Sequence, residues 1–178
     1  TVSDLRAYQD RGCVLVDTTC GSVLNVWKNV TRYARDGFTA IIHGKVHHEE
    51  TRATASQTQS HAGGRFLVVL DRTDAADVCA SLRHGGAPTR FLTHFAGAAS
   101  RGFDPDRDLQ RVGLANQTTM LMSESLAIAE QFRQAMIARY GEAALPDHYR
   151  AFDTICSATQ ERQDAVIDLL REQSLDLM

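Results

Sequence analysis

The chain has 178 residues, a formal net charge of −3, 43% hydrophobic residues and 23% charged residues. These values are typical of a globular protein with a sizeable core, which excludes a disulfide-stapled miniprotein and a disordered chain, and the charge favours neither a nucleic-acid nor an anionic-membrane partner. No apolar run approaches the roughly 18 residues that span a bilayer, and residues 1–10 lack a signal-peptide core, so we expect a soluble protein.

The first elements predicted along the chain are a strand, a helix and a second strand. An apolar run at 14–17 predicts the first strand. Apolar side chains recur at helical spacing over 23–35, with Ser22 as the predicted N-cap and Gly37 as the residue that ends the helix in a left-handed conformation. Residues 38–42 restore a strand pattern, so this region is predicted to form a βαβ unit.

Strands and helices continue to alternate farther along the chain. The predicted elements are a strand at 66–70, a helix at 75–82 with Thr73 or Asp74 as its cap, a glycine-rich loop, a strand at 112–115 and a helix at 124–140 that Gly141 ends. Strands separated by helices imply a mainly parallel sheet covered on both faces. The predicted fold class is therefore α/β.

Both ends of the sequence are predicted to continue into further structure. Residues 1–13 have the pattern of the tail of a helix that leads into a strand. The sequence stops at 175–178, after a helix and where a buried strand is expected to start. We therefore expect this chain to be an internal part of a longer protein.

The four cysteines form no C-x-x-C pair, which argues against a zinc ribbon and a thioredoxin-type motif. Cys20 directly precedes a predicted helix, and Cys156 precedes an S-x-x-Q capping box at 157–160. Partial positive charge at a helix N-terminus favours the thiolate, which binds metals or attacks electrophiles. Cys20 and Cys156 are thus candidate metal or cluster ligands, with buried structural thiols as the alternative. Cys13 and Cys79 are predicted to be core residues.

A segment dense in titratable groups follows the strand predicted at 38–42. It contains His43, Lys45, His47, His48, Glu49 and Glu50. Imidazoles and a lysine suit an anion such as a phosphate, and a carboxylate among them suits proton transfer. In an open α/β sheet this segment lies at the carboxyl edge, where ligands bind. The alternative is a solvated polar loop.

The segment Asn-Gln-Thr-Thr at 116–119 follows the strand predicted at 112–115 and is expected at the same edge. Its hydroxyls and amides can hold a small polar ligand, but they also suit a turn. The glycines match neither G-x-G-x-x-G nor the P-loop, so nucleotide-binding fingerprints are absent from the sequence.

Several of these segments, read together, resemble the motifs of one family. They are VDTTC at 16–20, IIHGK at 41–45, HEET at 48–51, ATAS at 53–56, GFDPD at 102–106, VGLANQTTM at 112–120 and TICSATQERQD at 154–164. The family is 4-hydroxy-3-methylbut-2-enyl diphosphate reductase, also called IspH or LytB. The residues within these motifs resemble those of its plant and cyanobacterial branch. The resemblance covers nearly all of the chain from about residue 10.

The resemblance implies an activity and a cofactor. The activity is reductive dehydroxylation of 4-hydroxy-3-methylbut-2-enyl diphosphate to isopentenyl and dimethylallyl diphosphates, the last step of the non-mevalonate (MEP) isoprenoid pathway. In the family three cysteines hold a [4Fe-4S] cluster that supplies the electrons, and Cys20 and Cys156 match two of them. Cys13 does not match the third, which belongs to a segment expected before this chain.

The resemblance also implies roles for individual residues. His48 matches the histidine that contacts the diphosphate, and Glu50 matches the acid that delivers protons to the leaving hydroxyl. Thr118 matches the threonine near that hydroxyl, which gives it both a catalytic and a substrate-binding role. Residues 21–25, Gly-Ser-Val-Leu-Asn, depart from the family, which usually has proline and a more polar helix start there.

The family fold consists of three α/β units around a pseudo-threefold axis with the cluster at the centre. In that frame residues 1–17 end the first unit, 18–153 form the middle unit, and 154–178 begin the third. With two of three cysteine ligands, the chain alone is expected to hold no stable cluster and to be inactive. A Ser/Asn-rich phosphate-binding segment of the third unit is expected beyond residue 178.

The resemblance suggests ferredoxin as the electron donor. The composition, rich in arginine and alanine, favours a bacterial cytoplasm, and the plastid stroma is the alternative.

A noncatalytic α/β module that binds phosphate through His43, Lys45 and His48 is the rival function, and the iron content of the protein distinguishes it from the reductase. A thiol-based electron carrier is disfavoured because the cysteines are far apart in the sequence.

Overall fold

A computed structural model describes residues 1–85, 89–152 and 156–172. Its centre is a sheet formed by the strands β1 (Thr39–His43), β2 (Phe66–Val69), β3 (Val112–Asn116) and β4 (Tyr149–Ala151). The strands are parallel and lie in the order β2-β1-β3-β4. This arrangement confirms the predicted α/β class with a parallel sheet.

Helices flank the sheet in two packed pairs, α2 with α3 and α4 with α7. The helices are α1 (Val2–Asp10), α2 (Gly21–Arg35), α3 (Glu49–Gln59), α4 (Arg72–His84), α5 (Thr89–His94), α6 (Pro105–Asp108), α7 (Met122–Tyr140), α8 (Leu145–His148) and α9 (Ser157–Glu172). In the described part of the chain, none of these helices is both long enough and apolar enough to cross a membrane.

The core lies between the sheet and the helices, and β1 and β3 are buried along their whole length. Tyr33 of α2 is fully buried, and its hydroxyl donates to the Leu114 carbonyl oxygen at 2.9 Å. Its ring lies on Gly113, where an added Cβ would come within 2.6 Å of ring atoms. Glycine at this position therefore allows α2 to approach the centre of the sheet closely.

The strand predicted at 14–17 is not present. Val14 and Val16 are 90% and 81% exposed, and the backbone of this run pairs with no strand in the described ranges. A short apolar run forms a strand only where a neighbour accepts its backbone hydrogen bonds. The predicted βαβ unit is therefore only a helix followed by a strand here.

The core positions predicted for two cysteines have different outcomes. Cys13 is exposed, so its predicted core position is wrong, whereas Cys79 is buried in α4 as predicted.

The predicted ends of two helices are confirmed, but the predicted caps are wrong. Gly37 and Gly141 follow α2 and α7 with φ of +75° and +83°. The N-cap position of α2 is Cys20 rather than Ser22. At α4 the cap is Asp71, whose carboxylate accepts from the amides of Thr73 and Asp74 at 2.8 and 3.0 Å. Strand β2 ends at Val69, two residues before this aspartate, so α4 begins earlier than the apolar pattern indicates.

Helix α3 was not predicted, because its buried face consists of Thr51, Thr54, Ala55 and Thr58 rather than large apolar residues. The segment predicted as a polar loop is therefore a loop only from 44 to 48. Short elements α5, α6, α8 and β4 were also not predicted. The predicted unit boundary between 153 and 154 and the predicted end at 175–178 lie outside the described residues.

Candidate functional site

The topology brings four segments to one edge of the sheet. Helix α2 leads into β1 through residues 36–38 only, so it runs back along the sheet and its first residue lies near the carboxyl end of β1. Strand β1 is followed by the loop 44–48, and β3 by the loop 117–121. Cys156 follows the end of β4. Parallel sheets bind ligands at this edge.

Glu50 and Thr118 form the best-defined contact of this edge. The Thr118 amide donates to Glu50 Oε1 at 2.7 Å, and the Thr118 hydroxyl donates to Oε2 at 3.0 Å. Thr118 is buried, and Glu50 in the first turn of α3 is half-buried. Both carboxylate oxygens are thus held by one residue that is 68 positions away in the chain. The structure thus brings together Glu50 and Thr118, two candidate site residues predicted from the sequence.

His48 lies beside this pair as the N-cap residue of α3. Its Nδ1 accepts a hydrogen bond from the Glu50 amide at 3.2 Å, and its side chain is exposed. Because Nδ1 acts as an acceptor, a neutral imidazole carries its proton on Nε2 and can donate it to an oxyanion. The capping bond therefore fixes the tautomer that suits a phosphate oxygen.

Gln117 joins the two loops that carry these residues. Its buried side chain accepts from the Lys45 amide and the Thr51 hydroxyl through Oε1, both at 3.1 Å, and donates from Nε2 to the Thr119 hydroxyl at 2.7 Å. A Cβ added to Gly44 would lie 2.8 Å from Thr51 Oγ1, so glycine permits this close packing. The polar groups of Gln117 thus serve internal bonds rather than a ligand.

The two candidate cysteine ligands lie at neighbouring helix starts, those of α2 and α9. The Ser22 hydroxyl donates to the Cys156 thiol, and this hydrogen bond is the main cause of a lowered Cys156 pKa. The amides of Thr159 and Ala158, in the first turn of α9, lower that pKa further. Ser22 is in the first turn of α2, whose N-cap is Cys20, so the bond places Cys156 beside the helix start that carries Cys20. Sequence patterns assigned Ser22 to a helix cap and missed this contact.

The donor set suits part of an iron–sulfur site. Thiolates are soft ligands that iron–sulfur clusters prefer, and the surroundings of Cys156 favour its thiolate. Among residues 1–85, 89–152 and 156–172, no three histidine, cysteine, aspartate or glutamate side chains are grouped closely enough to hold a metal ion. Cys20 and Cys156 are therefore two described residues whose sulfur atoms could bind an iron–sulfur cluster.

The predicted grouping of His43 with Lys45 and His48 is wrong. His43 is only 2% exposed and turns its ring towards α7, whereas Lys45 and His48 are exposed. His43 Nδ1 lies 2.8 Å from Ser125 Oγ, and Nε2 lies 3.9 Å from Glu124 Oε2. Burial lowers the His43 pKa, and the Glu124 charge partly opposes this shift. The last residue of a buried strand has too little solvent contact to bind phosphate.

The chain is similar over its whole length to one family of proteins. The family model described as LytB protein matches residues 1–178. Proteins named 4-hydroxy-3-methylbut-2-enyl diphosphate reductase from Synechococcus sp. (strain RCC307) and Gloeobacter violaceus are each 51% identical to this chain over 178 residues. The matches cover 100% of this chain but only 42% and 41% of those proteins. The chain thus spans about two fifths of the length of these relatives.

Two solved structures share the fold. The structure of (E)-4-hydroxy-3-methyl-but-2-enyl diphosphate reductase, described as the terminal enzyme of the non-mevalonate pathway, gives a TM-score of 0.59 at 22% identity. The structure of the E-1-hydroxy-2-methyl-but-2-enyl-4-diphosphate reductase from Plasmodium falciparum gives a TM-score of 0.62 at 16% identity. Each match covers 96% of this chain, with 47% and 42% of the two solved chains. At these identities the likeness concerns the fold alone.

Proposed function

The chain belongs to the LytB protein family, and from this premise we propose that the full-length protein containing it reduces 4-hydroxy-3-methylbut-2-enyl diphosphate to isopentenyl and dimethylallyl diphosphates. The names of the 51%-identical relatives support this activity. The observation that carries the proposal is the carboxylate of Glu50, held by Thr118 beside His48 at the ligand-binding edge of the sheet.

The reaction breaks a carbon–oxygen bond and consumes two electrons and two protons. One proton converts the leaving hydroxyl into water, and the other is added to carbon. Glu50 is the proposed donor of the proton to the hydroxyl. An amide of fixed direction holds Oε1, whereas the Thr118 hydroxyl opposite Oε2 can rotate and act as donor or acceptor. Oε2 is therefore the oxygen that can take up and release the proton.

His48 is the proposed diphosphate-binding residue. Its exposed Nε2–H points away from the capping bond at Nδ1 and can donate to an anionic oxygen. The N-terminus of α3 adds unpaired amides that favour negative charge. Binding of the diphosphate at this position would bring the other end of the substrate towards Glu50 and Thr118.

Cys20 and Cys156 are the proposed ligands that this chain contributes to a [4Fe-4S] cluster. When bound, such a cluster supplies the electrons of the reaction. The hydrogen bond from Ser22 and the α9 amides support this role, because they stabilise the thiolate form of Cys156.

Three further parts of the proposal concern the whole protein. Residues 18–153 are proposed as the middle of three α/β units, with 1–17 and 154–178 belonging to the flanking units. Ferredoxin is the proposed electron donor, and the cytoplasm is the proposed location, with the plastid stroma as the alternative. The cyanobacterial origin of the similar reductases supports the donor and the location.

The test is turnover by the full-length protein after anaerobic reconstitution with iron and sulfide. We expect a bound cluster by iron analysis and visible absorption, and conversion of the substrate to both products with reduced methyl viologen as donor. A protein with a complete cluster that leaves the substrate unchanged would contradict the proposal. Diphosphate binding without any iron uptake would instead support the rival phosphate-binding module.

A further inference from the structure

His43 contacts both ends of the loop that carries Thr118. Its carbonyl oxygen accepts from the Gln117 amide at 2.8 Å, where the loop leaves β3. Its Nδ1 lies 2.8 Å from the hydroxyl of Ser125, in the first turn of α7, where the loop ends. The loop 117–121 is therefore connected at its beginning and at its end to one residue of β1.

Burial of the His43 imidazole is unfavourable, because the ring loses its hydration. It is 2% exposed, and its Nε2 makes no hydrogen bond of ordinary geometry to a described residue, although the Leu70 backbone is close enough to raise the His43 pKa and Glu124 Oε2 lies 3.9 Å away. It lines a cavity of about 100 Å³ together with Asn116 and Ser125. A leucine would occupy similar space without the desolvation cost of an imidazole. The hydrogen bond to Ser125 is what histidine supplies and leucine cannot.

The position of Thr118 depends on how this loop is held. Its amide and hydroxyl reach Glu50 only while the backbone at 117–119 keeps its present course. The hydrogen bonds of Gln117 with Lys45 and Thr51 hold the first part of the loop. The contact of the His43 side chain with Ser125 holds the other end, at the start of α7.

We propose that His43, through Ser125, is a positioning residue that holds Thr118 against Glu50. This inference rests on the proposed function, because it assigns His43 to the geometry of the proton donor. The His43 ring lies on the side of the loop that faces α7, and it makes no hydrogen bond to Glu50, to Thr118 or to the proposed cluster ligands. Its loss should therefore change proton delivery more than substrate binding.

The first test measures kcat and KM of Ser125→Ala in the reconstituted full-length protein, with Ser123→Ala as the matched control. Ser123 is exposed in the same helical turn and makes no side-chain bond to another described residue. We expect kcat of Ser125→Ala to fall by about 10-fold or more, since small displacements of reacting groups cost up to about 100-fold. KM should stay within about twofold, and Ser123→Ala should resemble the wild type.

A second pair of variants separates hydrogen bonding from packing. Asparagine and leucine have similar shapes, but only asparagine can place a polar atom near the position of Nδ1. His43→Asn should therefore retain most of kcat, while His43→Leu should lose it to the same extent as Ser125→Ala. Thermal unfolding and iron content are measured for both variants to identify misfolded protein. Equal kcat values for the two folded variants would contradict the proposal.

A double-mutant cycle provides the most specific readout. If His43 and Ser125 act through Glu50, Ser125→Ala should have little further effect on kcat in a Glu50→Gln background. A general structural role would reduce kcat by the same factor in both backgrounds and would overturn the inference. An active wild type with an unaffected Ser125→Ala variant overturns this inference alone, whereas a wild type that is inactive with a complete cluster overturns the proposed function.

Discussion

The acid part of the candidate site, formed by Glu50, Thr118 and Gln117, differs from the thiol part, formed by Cys20 and Cys156, in the contacts that hold it. Hydrogen bonds from buried groups fix both carboxylate oxygens of Glu50 and both loops around it. The thiol part has the Ser22 bond and the α9 amides, and Cys20 is exposed. The position of the Glu50 carboxylate is thus fixed by contacts within this chain, whereas fewer contacts hold the two thiols.

Replacing a cysteine of the thiol part should have the strongest consequence, because the cluster is proposed to bind directly to these sulfur atoms. Cys156→Ser or Cys20→Ser in the full-length protein should abolish cluster assembly, because a serine oxygen is a harder ligand than a thiolate. Iron and sulfide analysis after reconstitution measures the effect. Cys13→Ser is the matched control, since Cys13 is also exposed and lies outside both helix starts. A full complement of iron on Cys156→Ser would remove this residue from the ligand set.

The next effect concerns the diphosphate. His48→Ala should raise KM by about 10-fold or more, the value of a hydrogen bond to a charged group, with a smaller change in kcat. The diphosphate is anionic in both ground and transition states, so its contact contributes mainly to binding. Steady-state kinetics measure both constants. His47→Ala is the control, because His47 is exposed and its side chain makes no hydrogen bond or ion pair to another described residue. An equal rise in KM for both variants would argue against a specific contact at His48.

A smaller effect is expected when one of the two bonds to Glu50 is removed. Thr118→Val keeps the amide bond and the side-chain shape but removes the hydroxyl, so kcat should fall by about 10-fold while the cluster spectrum stays normal. Thr118→Ser, which retains the hydroxyl, should recover most of the activity. If valine and serine give the same kcat, the hydroxyl has no role in holding Glu50.

The smallest predicted effect is a pH dependence of stability. Burial lowers the pKa of His43 in the folded state, so below about pH 6.5 the unfolded chain binds more protons than the folded one. The free energy of unfolding should therefore fall as pH drops below that value, by no more than about 1.4 kcal/mol per pH unit for one proton. The negative charges of Glu124 and Asp71 raise the pKa of His43 and so reduce this loss of stability.

Urea unfolding of the full-length protein between pH 7.5 and about pH 5.5 measures this slope. His43→Asn should show a shallower fall than the wild type, because it removes the group whose pKa is lowered. His47→Asn, at an exposed position, should leave the slope unchanged. Identical slopes for the wild type and His43→Asn would show that His43 does not contribute.

Sequence patterns predicted the sheet because β1 and β3 are mainly apolar and are buried along their whole length. They failed for α3, whose buried threonines resemble a polar loop, and for residues 14–17, which are apolar but exposed. His48 and Glu50 stood out as titratable groups after a strand. The bonds of Ser22 to Cys156 and of Gln117 to Thr51 join distant parts of the chain, and such contacts leave no local pattern.

Whether Glu50 donates the proton is tested most directly by comparing two neighbouring carboxylates. Glu49 is exposed in the same helical turn and makes no bond to another described side chain, so Glu50→Gln and Glu49→Gln make the same chemical change in different surroundings. At matched iron content, kcat of Glu50→Gln should fall by about 10² to 10⁴, the usual contribution of a general acid. Glu49→Gln should remain close to the wild type. A Glu50→Gln protein with an intact cluster and a wild-type kcat would contradict the role assigned to Glu50.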